Sequence, residues 1–373
     1  MITPIFEPQF LSVEREYLLE CIDTGWISSQ GRFIPEFEAT FSSWNQMEYG
    51  VATSNCTTAL HLALVALGIG PGDEVLCPDL TFIAPANMIC LTGAKLVLID
   101  VEPCSWGIDP AKMVDKITSN TKAVIVVHPF GHAADMDPIL ELAREHSLKV
   151  IEDVAEAPGG LYKGKTLGAF GDVSCYSFFA NKILTTGEGG MVLCNDSELD
   201  VKLRTLRDHG MSRERKYVHE LAGFNYRMTN MQAAIGLAQL ERLDETMSRR
   251  NIQADHYRAR FSGSNNIKWR PVASYCTPVH WLATITLNQV SQRDRLISHL
   301  KDHEIDARQM VFPVHMAAPY RDDNNPDDFL VSRSVSMRSL HLPSSTALAM
   351  TEVDRICDLV LEWTEADEAS PDV

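Results

Sequence analysis

AVIVVHPFGHAADMDPILELAREHSLKVIEDV, residues 123–154, decides the fold. It opens and closes on short apolar bursts, AVIVVH and KVIEDV. Each is nearly continuous and rich in β-branched residues, as strands buried on both faces are. Between them MDPILELAREH reads as a helix, with Asp137 as the predicted N-cap and Pro138 in the first helical position. Strand, helix and strand in this order form the repeating unit of a parallel sheet.

Outward from this unit the pattern repeats. DEVLCP (73–78), KLVLID (95–100) and GMVLCN (190–195) are bursts of the same kind, and DVSCYSFF (172–179) is strand-like. IDPAKMVDKI (108–117) repeats the helix start with Asp109 and Pro110. The alternation predicts an α/β fold whose mostly parallel central sheet carries helices on both faces. Ligands of such sheets bind beyond the carboxyl ends of the strands. After about residue 240 the texture changes. LAQLERLDETMSRRNIQADHYRARF (237–261) reads as one long helix leading away from the sheet, followed by strand-like VHWLATITL (279–287), helix-like DRLISHLKDHEI (294–305) and a last helix near MTEVDRICDLVLEW (350–363). The expected division is a large domain over 1–240 and a smaller α+β domain over 241–373, with TEADEASPDV (364–373) as an acidic frayed tail.

The chain has 373 residues, 45% hydrophobic and 22% charged, with a net charge of −17. Lys and Arg are not clustered, which argues against a nucleic-acid partner. The opening MITPIFEPQFLSVEREYLLE carries Glu and Pro where a secretory leader would be apolar, and no run reaches the roughly 18 apolar residues of a membrane span. Nine cysteines without paired spacing read as reduced thiols, with no metal site. These features point to a cytoplasmic protein with no membrane partner.

Three short segments carry the chemistry. In SFFANKILTTGEGG (177–190) Lys182 stands between an aromatic pair and a glycine-rich turn, on a loop expected at the ligand end of the sheet. A lone loop lysine is ordinarily solvated. In KVIEDV, Asp153 ends a buried strand and needs a partner: an arginine, a backbone cap or a cofactor cation. Glu156, three residues on, reaches the same region if the chain turns helically. In ATSNCTTALHLALVALG, Ser54, Asn55, Cys56 and Thr57 precede a helix expected to start near Thr57. Such a turn is a simple N-cap or a phosphate cradle. Dinucleotide and P-loop glycine patterns are absent. A cradle, a strand-end carboxylate and a loop lysine together are what pyridoxal phosphate requires. The lysine bonds the cofactor's aldehyde, the carboxylate keeps the pyridine nitrogen protonated, and the cradle holds the phosphate. Ser177 is a second candidate phosphate donor. Phe82, in DLTFIAPAN, is a candidate for stacking on the pyridine, with core packing as its competing use.

With these residues in place, the sequence resembles the DegT/DnrJ/EryC1/StrS sugar aminotransferases. The resemblance rests on GWISSQGRFIPEFE (25–38), SNCTTALHLAL (54–64), PDLTFIAPAN (78–87), VHPFGHAADMDPI (127–139), VIEDVAEA (150–157), SFFANKILTTGEGGM (177–191) and GFNYRMTNMQAAIGLAQL (223–240). It implies the aspartate aminotransferase fold, fold type I, and pyridoxal phosphate as cofactor. Within the family, SFFANK…TTGEGG and EDVAEA look most like enzymes that aminate the 4-keto group of GDP-4-keto-6-deoxymannose with L-glutamate as donor. The resemblance makes Lys182 the catalytic lysine and Asp153 the pyridine-nitrogen partner. It sets Glu156 near the ring's 3′ oxygen. Ser177, Cys56 and Thr57 become phosphate contacts, and Phe82 the stacking aromatic. Asn225 would reach the phosphate from a second subunit, which implies a homodimer with shared sites. Ser28 and His315 would touch the nucleotide sugar. A bacterial surface polysaccharide is the implied destination of the product. Four positions depart from the family: Cys56 replaces a usual glycine, Gln309 and Met310 stand where the family tends to read Arg-Pro followed by an aliphatic or aromatic residue, and Ala283 replaces a larger residue. Competing readings are a 3- or 4-aminotransferase on a dTDP- or UDP-linked keto sugar, and a non-catalytic regulator on the same fold. A dehydratase of the family would carry histidine in place of Lys182.

Overall fold

The computed structural model describes residues 2–212 and 214–369. Its strands run, in chain order, β1 (Tyr49–Thr53), β2 (Glu74–Pro78), β3 (Lys95–Ile99), β4 (Thr121–Val127), β5 (Lys149–Asp153), the short β6 (Leu161–Tyr162) and β7 (Lys165–Thr166), β8 (Val173–Ser177) and β9 (Gly190–Cys194). A seven-stranded sheet has the order β1-β9-β8-β5-β4-β2-β3. Its strands are parallel except β9, which runs against both β1 and β8. The bursts are strands because alternate side chains enter two different cores. On β4, Val124 and Val126 join one cluster with Phe37, Phe41 and Trp106, while Ala123, Ile125 and Val127 join another with Leu60, Leu62 and Val75. Removing Val124, Ile125 and Val126 from water contributes roughly 1.5–3 kcal/mol each.

The remaining strands are β10 (Ile267–Trp269), β11 (Cys276–Thr277), β12 (Ala283–Leu287), β13 (Arg308–Gln309) and β14 (Ser339–Leu342). β11 joins β6 and β7 in a small three-stranded sheet, and β10-β12-β14-β13 form an antiparallel sheet. A third core, built around Tyr257, Ile285, Leu296, Leu340 and Ile356, lies between this sheet and the helices Leu243–Phe261, Val290–Asp302 and Met350–Ala369. The N-terminus packs here as well. Thr3 bridges Ile305, the Ile5 N–H donates to Asp306 Oδ2 at 3.3 Å, and the Ser344 N–H donates to the Ile5 carbonyl at 2.9 Å. Among the described residues no helix is long and apolar enough to cross a membrane.

Three local expectations change. The N-cap of the 136–145 helix is Asp135. Asp137 lies inside the first turn, where it pairs with Lys163 Nζ at 2.5 Å. The long helix over 237–261 is two helices, Asn230–Glu241 and Leu243–Phe261, broken at Arg242. There φ is −120° and ψ 17°, and the guanidinium turns to Glu14 Oε1 at 2.6 Å and the Gln9 carbonyl at 2.5 Å. The last helix continues to Ala369, well into the expected tail, and residues 370–373 lie outside the described residues.

Candidate active site

The sheet topology brings the three segments to one place. β5 and β8 are parallel, with Asp153 opposite Cys175, so both strands end at the same edge and Ser177 closes β8 there. The loop from Ser177 to Gly190 carries Lys182 over that edge. Beside it Thr53, the last residue of β1, pairs with Gly190, the first of β9. The helix Cys56–Ala66 follows at once. A Cβ on Gly190 would sit 2.4 Å from the Asn55 carbonyl carbon and 2.6 Å from the Cys56 nitrogen, so glycine is what lets the helix end settle against β9.

This helix starts one residue earlier than expected, with Asn55 as its cap. Asn55 Oδ1 accepts from the Thr58 N–H at 2.9 Å, and the Asn55 carbonyl accepts from the Ala59 N–H at 3.1 Å. Cys56 and Thr57 are the first two helical residues, whose N–H groups have no acceptor within a helix. They stand at the positive end of the helix dipole, where an anion is favoured. The cap is therefore formed, and the same turn offers the two free helical N–H groups that a phosphate cradle needs. The Cys56 thiol is buried and held well above its ordinary pKa by burial and by the nearby Asp153 carboxylate.

Asp153 is 6% exposed. Oδ1 accepts from the Ala155 N–H at 3.0 Å. Burial pushes its carboxyl up to about 6. Glu156 adds to the rise, while the Ala155 N–H, Lys182 and His128 oppose it. Glu156 reaches the same space through a turn in which the Ala157 N–H donates to the Val154 carbonyl at 3.1 Å. Its Oε2 accepts from the Phe130 N–H at 2.7 Å, and its Oε1 lies 3.6 Å from Lys182 Nζ. The Lys182 side chain is only 11% exposed, so it is not the solvated surface lysine that loop position alone would suggest.

The other expected residues are less tightly drawn in. Ser177 Oγ accepts from the Phe179 N–H at 3.4 Å. Phe82 follows the carboxyl end of β2 with 61% of its surface exposed, which excludes core packing as its use. Asn225 is exposed and accepts from Arg227 Nε at 3.0 Å, while the next carbonyl, Tyr226, accepts from the Ser54 N–H at 2.8 Å beside the cradle. Ser28 is exposed, and its carbonyl accepts from the Asn230 N–H at 2.5 Å. His315 is 2% exposed. Its Nδ1 lies 2.7 Å from Asp79 Oδ2, and its ring stacks on Phe329 at 4.6 Å. In this chain it pins residues 313–316 to the end of β2. The departures from the family also find places. Ala283 and Met310 are buried in the protein's own cores, whereas Gln309 is exposed on β13.

Sequence reasoning missed Trp281. Its ring centroid lies 3.6 Å from Lys182 Nζ, and its ring is parallel to that of Phe130 within 4°. Both aromatics lie in quoted segments, VHWLATITL and VHPFGHAADMDPI, yet nothing local ties them to Lys182.

Pyridoxal phosphate fits these residues. A buried strand-end carboxylate, destabilised by its surroundings, is matched by a protonated pyridine nitrogen. The helix N-terminus at Cys56 and Thr57 is matched by a phosphate. The comparisons agree. The profile of the DegT/DnrJ/EryC1/StrS aminotransferase family matches residues 10–361. The GDP-perosamine synthase of Caulobacter vibrioides is 46% identical over 94% of this chain and 95% of its own length. That of Escherichia coli O157:H7 is 41% identical over 96% and 98%. Among solved structures, DesV of Streptomyces venezuelae superposes with a TM-score of 0.90 at 35% identity, covering 95% of each chain. Spr1654 of Streptococcus pneumoniae in its PLP form gives 0.94 at 25% identity, covering 98% of this chain and 99% of its own. A lysine, two carboxylates and a helix N-terminus at one sheet edge, within a family match across nearly the whole length, make this chain a pyridoxal-phosphate-dependent aminotransferase of the DegT/DnrJ/EryC1/StrS family.

Proposed function

We propose that the enzyme moves the amino group of L-glutamate to C4 of a GDP-linked 4-keto-6-deoxy sugar, GDP-4-keto-6-deoxymannose, giving 2-oxoglutarate and the 4-amino sugar. The observation that carries the choice of substrate is the likeness to GDP-perosamine synthases, 39–46% identical over most of both chains. A 3-amino-sugar enzyme, the dTDP-3-amino-3,4,6-trideoxy-alpha-D-glucose transaminase of Streptomyces venezuelae, is 37% identical and supports the second reading.

The bound cofactor supplies an aldehyde and an electron-accepting ring. Asp153 would hold the proton on the ring nitrogen, and Glu156 would stand near the 3′ oxygen. The N–H groups of Cys56 and Thr57 and the Ser177 hydroxyl would hold the phosphate, and Phe82 would cover the ring. Lys182 Nζ takes the α-proton of glutamate and returns a proton to C4 of the sugar. Ser28 serves the nucleotide-sugar side directly, while His315, buried against Asp79, serves it by holding residues 313–316 in place. The reading includes a homodimer in which Asn225 of each chain reaches the partner's cradle. The exposed apolar residues Phe10, Leu19, Ile22, Trp26 and Ile27 near the N-terminus favour such an interface. It also includes two domains, 1–240 and 241–373, with the first few residues packed on the second. The location is cytoplasmic, and the product enters a surface polysaccharide such as the O-antigen of lipopolysaccharide.

The test is a panel of GDP-, dTDP- and UDP-linked 3- and 4-keto sugars incubated with glutamate, with products read by mass spectrometry and the amine placed by NMR. Turnover highest on the GDP-linked 4-keto sugar is expected. Amination confined to C3, or to dTDP sugars, would replace this reading with the second one.

A further inference from the structure

Lys182 Nζ has two neighbours that the established chemistry does not require together. One is Glu156 Oε1, at 3.6 Å. The other is the indole face of Trp281, whose centroid is also 3.6 Å away. Trp281 is 6% exposed and fixed from several directions. Its Nε1–H donates to the carbonyl of Asn181, the residue immediately before the lysine, at 2.7 Å. Its own carbonyl accepts from Arg250 Nη1 at 2.7 Å. Its ring lies parallel to that of Phe130, with centroids 6.1 Å apart. The N–H of Phe130 in turn donates to Glu156. Lys182, Trp281, Phe130 and Glu156 therefore form a closed circuit around one ammonium group.

We propose that Trp281 is a positioning residue for the reactive lysine: its indole receives the Lys182 ammonium whenever that amine is not bonded to the cofactor, and its N–H tethers the loop that carries it. An aromatic face binds a cation more strongly once both are withdrawn from water, and indole is the best of the aromatic side chains at this. A flexible four-carbon side chain freed in an open cleft would otherwise sample solvent. With ring and loop joined through Asn181, the amine stays beside Glu156 and within reach of the site it must return to. Gly131 makes the arrangement possible. It has φ +86°, and a Cβ there would lie 1.6 Å from the Val279 carbonyl oxygen, so only glycine lets the segment leading to Trp281 approach Phe130.

The proposal rests on Lys182 being the reactive amine but not on which sugar is aminated, and its deciding test, on the cofactor-free protein, uses neither substrate nor cofactor. Cofactor-free protein is treated with a small amine-selective acylating reagent at one fixed pH. Modification of Lys182 is followed by mass spectrometry, with exposed Lys95 as internal reference. In Trp281→Leu, Lys182 is expected to react about three- to tenfold faster relative to Lys95, the range a partly desolvated cation–π contact supports. Trp281→Phe keeps a face and is expected to stay within about twofold of wild type. If the leucine variant fails to fold, Trp281→Met, unbranched and able to settle into an irregular gap, also lacks a face and takes its place. In the loaded enzyme, the variant lacking a face loses kcat while KM for glutamate holds, and Trp281→Phe recovers most of the loss. Unchanged labelling of Lys182 in a folded variant without the ring, or equal labelling of the phenylalanine and leucine variants, would overturn the proposal.

Discussion

Asp153→Asn is expected to make the cofactor-free protein more stable and the enzyme nearly inactive. The carboxyl is buried and its pKa is pushed up to about 6, chiefly by burial, against an ordinary 3.8. A raised folded-state value means that the native state holds a proton the unfolded chain has already released. This group's contribution is therefore most favourable below about pH 4 and is lost as pH rises through about 6. The gap between the two values corresponds to about 3 kcal/mol at pH 8. Asparagine keeps an oxygen for the Ala155 N–H and carries no charge, so it removes the cost without opening a cavity. Urea unfolding of cofactor-free protein, at one protein concentration between pH 4 and 8, reads the effect. Wild type should lose stability across that window relative to the variant, and at pH 8 the variant should lead by about 2–3 kcal/mol. Adding pyridoxal phosphate should reverse the order, because the wild-type carboxylate then gains a cationic partner. Transamination by the variant should fall at least about tenfold, since asparagine does not hold the ring nitrogen protonated. Parallel wild-type and variant curves from pH 4 to 8 would refute the reasoning, because they would mean that the buried charge is already compensated.

Two further outcomes follow from the geometry. Lys182→Ala should abolish transamination while leaving the fold intact, as read by product formation and thermal melting; residual turnover at the wild-type rate would remove Lys182 from its role. Gly131→Ala should cost at least about 2–3 kcal/mol in urea unfolding, since it combines a left-handed φ with a collision at the Val279 carbonyl. It should also raise Lys182 acylation in the cofactor-free protein as Trp281→Leu does, because both release the same ring.

The strands of the central sheet were legible because burial on both faces leaves a continuous apolar run. KVIEDV and AVIVVH could hardly be anything else once a capped helix stood between them. The reversal of β9 was not legible, because an antiparallel strand buried on both faces has the same composition as its parallel neighbours. β1, YGVAT, is short and carries a glycine. Its identity comes from pairing with β9, far along the chain. The break at Arg242 was hidden for a similar reason. The local pattern continues a helix, and only the distant Glu14 and Gln9 explain why it stops. Asp153 and Lys182 could be read from strand-end and loop positions, and the family resemblance assigned the rest. Trp281 could not be found in this way, since its indole meets Asn181 across a separation of 100 residues.

The packing of Thr3 and Ile5 against the last third of the chain sets a timetable for synthesis. Ile5 and its partner Asp306 are 301 positions apart, so at 5–20 residues per second the first residues wait about 15–60 s for the surface that receives them. During that interval the seven-stranded sheet can already form, since its last strand ends at Cys194. The lysine loop would then exist without its indole cover until residue 281 has been made.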